Sequence, residues 1–194
     1  MRGDLGRAVE AAVEGGVDRV QVRDRELEGE ALLALTDDVM AAARRGGAGR
    51  DTPALVLVNR RADVALAAGA DGVHLGFDAM GVAGARSVLG ADALVGRSTH
   101  APDEIASEPG LDYVHLAPVF DPLSKAPTRP ALGLEALRAA ARRGVPVIAQ
   151  GGIDATRARA AARAGAAGVA VTGAVLMCDD PSAAARAIRE ALDG

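Results

Sequence analysis

The chain has 194 residues, a net charge of −4, one cysteine and 49% hydrophobic residues. That length suits one domain with a core of its own, so residues 1–194 are read as a single unit that needs neither disulfide nor structural metal. One cysteine excludes an intrachain disulfide and a cysteine-based zinc site. The mixed charges exclude the basic stripe that nucleic acid requires, and no run approaches the roughly 20 apolar residues of a membrane span.

The opening residues MRGDLGRAVEAAVEGG are broken by charges and lack the apolar centre of a signal peptide, so the expected setting is the cytoplasm. A helical stretch over Leu5 to Glu14 leads into GVDRVQV, Gly16 to Val22. The pattern of glycine, spacer, aspartate and alternating valine returns in GADGVHL (Gly69 to Leu75) and GLDYVHL (Gly110 to Leu116). It returns again in GAAGVAV (Gly165 to Val171), with Ala167 in place of aspartate. Each glycine reads as the cap of a preceding helix, followed by a turn and a short buried strand. Further strands are expected between the copies at ALVLV (Ala54 to Val58), ALVGRS (Ala93 to Ser98) and PVIAQ (Pro146 to Gln150). Cys178 reads as a small buried hydrophobe.

Strands that alternate with helical stretches, without hairpin signals, predict an α/β fold with an all-parallel sheet: a (βα)8 TIM barrel whose first strand is missing from this chain. Either the start lies upstream of Met1, or the barrel has an open seam whose strand edges favour self-association, and with it a homo-oligomer. Alternation within each repeat sends Val20, Val22, Val73, Leu75, Val114, Leu116, Val169 and Val171 toward the helices. Gln21, His74, His115 and Ala170 then point into the barrel, with Arg23, Gly76, Ala117 and Thr172 one step nearer its mouth.

Barrel enzymes carry their sites in the loops after the strands. Here these begin with Arg23, Asp24 and Arg25; Asn59, Arg60 and Arg61; and Ser98, Thr99 and His100, groups that suit anionic oxygens. Gly151 and Gly152 follow one late strand, Thr172 and Gly173 the last, and paired glycines before helix starts suit a phosphate. The long segment from Ala117 to Gly133 carries Ser124 and Lys125. Lys125 is the only lysine among 22 basic residues, where a compact ammonium replaces the usual guanidinium. Phosphorylated small molecules are the expected partners, with neither nucleic acid nor membrane.

In order along the chain, QVRDR, GADGVHLG, GRSTH, DYVHLAPVFDPLSK, QGGI and GVAVTGAV resemble the thiamine-phosphate synthase and TenI family. The resemblance implies coupling of a hydroxymethylpyrimidine diphosphate with a thiazole phosphate, releasing diphosphate and assisted by Mg²⁺. By position it assigns Gln21, Arg23 and Arg25 to the pyrimidine and diphosphate. Asn59 matches the asparagine of the family's Asn-Asp pair, Ser98 and His100 a later loop, Ser124 and Lys125 the phosphate-handling loop, and Gly151, Gly152, Thr172 and Gly173 the thiazole-phosphate cradle. His74, read from its inward place near the mouth, is a further candidate for substrate binding. It departs from the pattern at two metal-ligand positions, where Arg60 and Ala79 replace aspartates; Asp78, one residue early, is the remaining candidate ligand. The alternatives are a TenI-like tautomerase, whose catalytic histidine aligns with Pro118 so that His100 or His115 would have to serve, and a non-catalytic binder of phosphorylated ligands.

Overall fold

The computed structural model describes residues 2–27, 29–106, 108–121 and 129–194. Seven strands form one parallel sheet in sequential order: β1 (Arg19–Val22), β2 (Leu55–Asn59), β3 (Gly72–Leu75), β4 (Leu94–Thr99), β5 (Tyr113–Leu116), β6 (Val147–Gln150) and β7 (Gly168–Ala170). All seven expected strands are present. Their edges are β1 and β7, so the sheet is open at one seam.

The sheet nevertheless curls as a barrel does. In a flat sheet β1 and β5 would lie about 19 Å apart, at roughly 4.8 Å per strand. The Arg19 guanidinium of β1 instead lies 5.5 Å from the centre of the Tyr113 ring of β5. The helices close round the seam as well. Helix α1 (Arg2–Glu14) packs against α2 (Gly29–Gly46) on one side and α8 (Pro181–Asp193) on the other. Arg189 of α8 bridges to β1 by donating to the Gly16 carbonyl and to Asp18 Oδ2, at 3.0 and 2.7 Å.

The apolar core lies between the outer face of the sheet and the helices, in three clusters. Val22 and Val58 pack with α1 and α2, together with α3 (Ala62–Ala68). Val73, Leu75 and Val95 pack with α4 (Val82–Leu89). Val114, Leu116, Val147 and Ala149 pack with α5 (Gly133–Ala141), α6 (Ala155–Arg163) and α8, beside the four-residue α7 (Gly173–Leu176). The buried residues of α2, Leu32, Thr36, Val39, Met40 and Ala43, recur at helical spacing and give the chain one face to bury. The outward set read from the repeat is the set that packs here.

The repeat's aspartate has a defined task. Asp71 Oδ2 accepts from the Val56 amide of β2, and Asp112 Oδ2 accepts from the Val95 amide of β4, each at 2.7 Å. Each carboxylate thus ties the strand it introduces to the strand before it. Asp18 introduces β1, the first strand among the described residues, and its carboxylate takes Arg189 instead.

Two expectations need correction. The segment between β4 and β5 holds only a 3-10 turn among the described residues, Pro102–Glu104, so Gly110 follows a turn and caps no α-helix. Pro102 and Pro109 leave too little uninterrupted chain for one. Cys178 is exposed, because α7 buries only Val175 and ends just before it. Its thiol donates to the Ala174 carbonyl at 3.2 Å.

Inside the barrel, Gly96 of β4 makes room for Tyr113. A Cβ on Gly96 would fall 2.1 Å from the Tyr113 ring. Gly96→Ala is therefore expected to destabilise the protein by about 3 kcal/mol, at the upper end for core overpacking. For a chain of this size that lowers the melting midpoint by roughly 6–12 °C. An unchanged midpoint would mean that the ring does not sit over this glycine.

Candidate active site at the barrel mouth

Strand pairing places Gln21, Asn59, His74, Ser98, Tyr113, His115 and Gln150 on the inward parity of six consecutive strands. Their centre is His74, which is 1% exposed. Its Nδ1 lies 3.1 Å from the Tyr113 hydroxyl and its Nε2 2.9 Å from Ser98 Oγ. The His115 ring stacks at a tilt on the other side, 4.2 Å between centroids, and hydrogen-bonds Gln150.

Burial, then the charges of His115 and Arg23, drives the His74 pKa down to about 3. Burial drives His115 to about 4 against the Gln150 hydrogen bond, with Arg19 adding to the shift. Both imidazoles are neutral, and burial also raises the Tyr113 hydroxyl. A neutral imidazole has one donor and one acceptor nitrogen, so His74 fixes the orientation of two hydroxyls at once. With both nitrogens engaged, His74 positions Ser98 from below. Gln21 differs from these residues: its Nε2 is buried without a hydrogen-bond partner among the described residues. An orphaned donor inside an otherwise satisfied polar layer marks a place where a ligand can be read.

Above this layer lies the rim. Arg23 and Arg25 are exposed just after β1, while Asp24 folds back to accept from the Glu26 and Leu27 amides at 2.8 and 2.9 Å. Those two amides hold the Asp24 carboxyl below its usual range. Asn59 Nδ2 donates to the His74 carbonyl at 3.3 Å. His100 donates through Nδ1 to the Ala117 carbonyl and stacks on the exposed Phe77, 4.4 Å between centroids. The Glu104 carboxylate accepts from the His100 amide and the Thr99 hydroxyl, each at 2.8 Å, and so fixes the turn that carries His100.

The glycines after β6 do more than approach a ligand. Gly152 has φ +59° and an ideal Cβ there would meet the Asp121 carbonyl oxygen at 2.1 Å. The segment after β5 lies directly on this turn, with the Val119 amide donating to the Gln150 carbonyl at 2.8 Å. Arg157 clamps both pieces by donating to the carbonyls of Gly152 and Asp121, while Asp154 caps α6. Thr172 and Gly173 are exposed at the start of α7, on the neighbouring side, since β6 and β7 pair through Gln150 and Ala170. Ser124 and Lys125 lie outside the described residues.

The Mg²⁺ implied by the resemblance does not fit the residues present. Where a carboxylate is needed stands Arg60, whose guanidinium lies 2.9 Å from Oδ2 of Asp78. A cation already occupies Asp78, the candidate ligand, and no group of three or more His, Cys, Asp or Glu placed to hold a metal occurs among the described residues.

Sequence reasoning passed over Tyr113, Gln150 and Arg19. Tyr113 shares a repeat position with Arg19, Gly72 and Gly168, so alignment of the copies already marks it as inward-facing.

The profile of a family described as thiamine monophosphate synthase matches residues 2–175. The thiamine-phosphate synthase of Mycobacterium tuberculosis (strain ATCC 25177 / H37Ra) is 43% identical over 199 residues, covering 98% of this chain and 89% of that protein. The thiamine-phosphate synthase of Anaeromyxobacter dehalogenans is 47% identical over 186 residues, covering 94% and 81%. A thiamine phosphate pyrophosphorylase from Pyrococcus furiosus superposes with a TM-score of 0.83 at 29% identity, covering 97% of this chain and 89% of that one. A 3-hexulose-6-phosphate synthase, at 23% identity and a TM-score of 0.72, shares the fold. With this match along nearly its whole length, the chain belongs to the thiamine monophosphate synthase family.

Proposed function

We propose that this chain is a thiamine-phosphate synthase, coupling a hydroxymethylpyrimidine diphosphate to a thiazole phosphate. In the coupling, the bond between the pyrimidine methylene carbon and the diphosphate oxygen breaks, and the oxygen keeps the electron pair. The lone pair of the thiazole nitrogen forms the new carbon–nitrogen bond. Nothing is oxidised or reduced, so catalysis consists of holding two ring systems in register and stabilising charge on the departing diphosphate.

The observation that carries this reading is Gln21 Nε2, buried and, among the described residues, unpartnered at the floor of a mouth rimmed by arginines. It offers a donor to a ring nitrogen of the pyrimidine, with Asn59 on the adjacent β2, Ser98 further round on β4, and His74 holding Ser98 in place. Arg23, Arg25, Ser124, Lys125 and His100 take the diphosphate in this reading. The thiazole phosphate sits against Gly151, Gly152, Thr172 and Gly173. The tautomerase alternative fares less well: Pro118 stands at its histidine position, and His115 is nearly filled round by His74, Tyr113 and Gln150.

No helix among the described residues is long and apolar enough to cross a membrane. The cytoplasm is the setting we infer from the reduced-thiol composition, and self-association at the seam is the assembly we infer from the two open strand edges.

The test is thiamine phosphate formation by the purified chain from the two substrates, with and without Mg²⁺. Product is expected, and Gln21→Leu is expected to cut kcat/KM at least tenfold while leaving the protein as stable as before or more so. Removing an unsatisfied buried amide relieves a desolvation cost of about 1–3 kcal/mol. A folded protein that makes no product under either condition would overturn the synthase reading.

A further inference from the structure

Arg60 is where the mouth departs from ordinary backbone. Its φ of +67° makes it the only non-glycine residue in the left-handed region among those described. That conformation costs a residue with a side chain roughly 1–2 kcal/mol. Such strain persists where the surroundings impose it, and it gathers at binding positions. Here the Arg60 amide is held by the His74 carbonyl at 2.9 Å, and the Arg61 amide by the Asn59 carbonyl at 2.8 Å. The side chain then runs beside Gly76, where a Cβ would stand 3.7 Å from its Cγ and Cδ.

The guanidinium ends on Asp78, yet this ion pair does not explain the strain. The two side chains are 46% and 68% exposed. A pair so open to water contributes about 0–1 kcal/mol, no more than the backbone costs. A weak, solvent-accessible carboxylate on a conformationally forced arginine is readily exchanged for a stronger anion. Arg23 adds a second positive charge nearby, close enough to act on His74, whose carbonyl holds Arg60. A planar guanidinium matches two oxygens of a phosphate group better than it matches a mobile surface carboxylate.

We propose that Arg60 is the cation that receives the substrate's diphosphate. The Arg60–Asp78 pair is the resting state of that site, opened when the diphosphate displaces Asp78, and it makes a divalent ion unnecessary there. The proposal deepens the synthase reading and rests on it.

Calorimetric titration of the full chain with inorganic diphosphate, in EDTA throughout, tests it. The wild type is expected to bind, Arg60→Asn to bind at least tenfold more weakly, and Asp78→Asn several-fold more tightly because the competing carboxylate is gone. Asparagine tolerates the left-handed region, so Arg60→Asn should keep or raise the melting midpoint, which separates loss of a ligand contact from loss of fold. Absence of binding by the wild type without Mg²⁺, or equal affinity in Arg60→Asn, would overturn the site. The two readings fail separately. Diphosphate binding through Arg60 without thiamine phosphate formation supports the site and defeats the reaction. Product that forms only with Mg²⁺ supports the reaction and defeats the metal-free site.

Discussion

Lowering the pH from 7 to 5 is expected to remove about 4 kcal/mol from the stability of the fold, roughly 2 kcal/mol for each of two buried histidines. His74 and His115 are held at about 3 and about 4. In the unfolded chain each titrates near its ordinary value of about 6.5. The folded values lie below the unfolded ones, so as pH falls it is the unfolded chain that takes up protons first. Their stabilising contribution is whole above about pH 6.5 and is lost as the pH descends toward the folded values. The carboxylates with lowered values, Asp24, Asp63 and Glu104, act in a lower window, below their unfolded values near 4. The interval from pH 6.5 to 5 therefore isolates the imidazoles. Urea unfolding at the two pH values measures the effect, and His115→Gln should remove about half of it. A change below about 1 kcal/mol would mean that the imidazoles are open to water.

Gly152→Val is expected to lower affinity for a thiazole phosphate well over tenfold and to destabilise the protein. Two costs combine. A β-branched residue at φ +59° is strained by about 1–2 kcal/mol, and its Cβ would fall 2.1 Å from the Asp121 carbonyl oxygen. The segment from Ala117 to Asp121, which leads toward Ser124 and Lys125, must move, breaking the Val119 amide's bond to Gln150 and the Arg157 clamp. Gly173 supplies the control. Among the described residues, a methyl there would meet nothing closer than Met177 Sδ at 3.5 Å. Gly173→Ala should leave the melting midpoint unchanged while weakening binding, because only a phosphate would feel the methyl. Unchanged binding by calorimetry in Gly152→Val would remove the phosphate-site claim.

Four of the seven strands were legible because copies of one pattern fixed both their positions and their inward faces, and the other three stood out as apolar runs between the copies. Gln21, His74 and His115 fall inside the barrel on the alternation of the repeat alone. What lay hidden depends on contacts between distant segments. Nothing local distinguishes Gly152 as a glycine required by Asp121 from one required by a ligand. The pairing of Arg60 with Asp78 comes with a left-handed backbone at Arg60 that no composition rule assigns to arginine. The exposure of Cys178 followed from the shortness of α7, and the missing helix before Gly110 from two prolines in a short segment. Tyr113 was overlooked because its repeat position is filled by glycine in two copies, which conceals that the position points inward.

The carboxylates of Asp71 and Asp112 distribute stiffness unevenly round the barrel. Each staples one pair of neighbouring strands, β2 to β3 and β4 to β5, so the middle of the sheet is built of fastened doublets. Ala167 leaves β6 and β7 without that staple, and Asp18 spends its own on α8. Compliance therefore rises toward both edges, since strands with fewer fastenings open at lower cost. Most of the floor proposed to recognise a ring, over β2 to β5, stands on the rigid part, and Gln21 joins it from the edge strand β1. The half assigned to the thiazole phosphate, after β6 and β7, stands on the part that can breathe. A molecule that must release two products gains from that division: a firm floor for alignment, and a yielding wall through which the larger product departs.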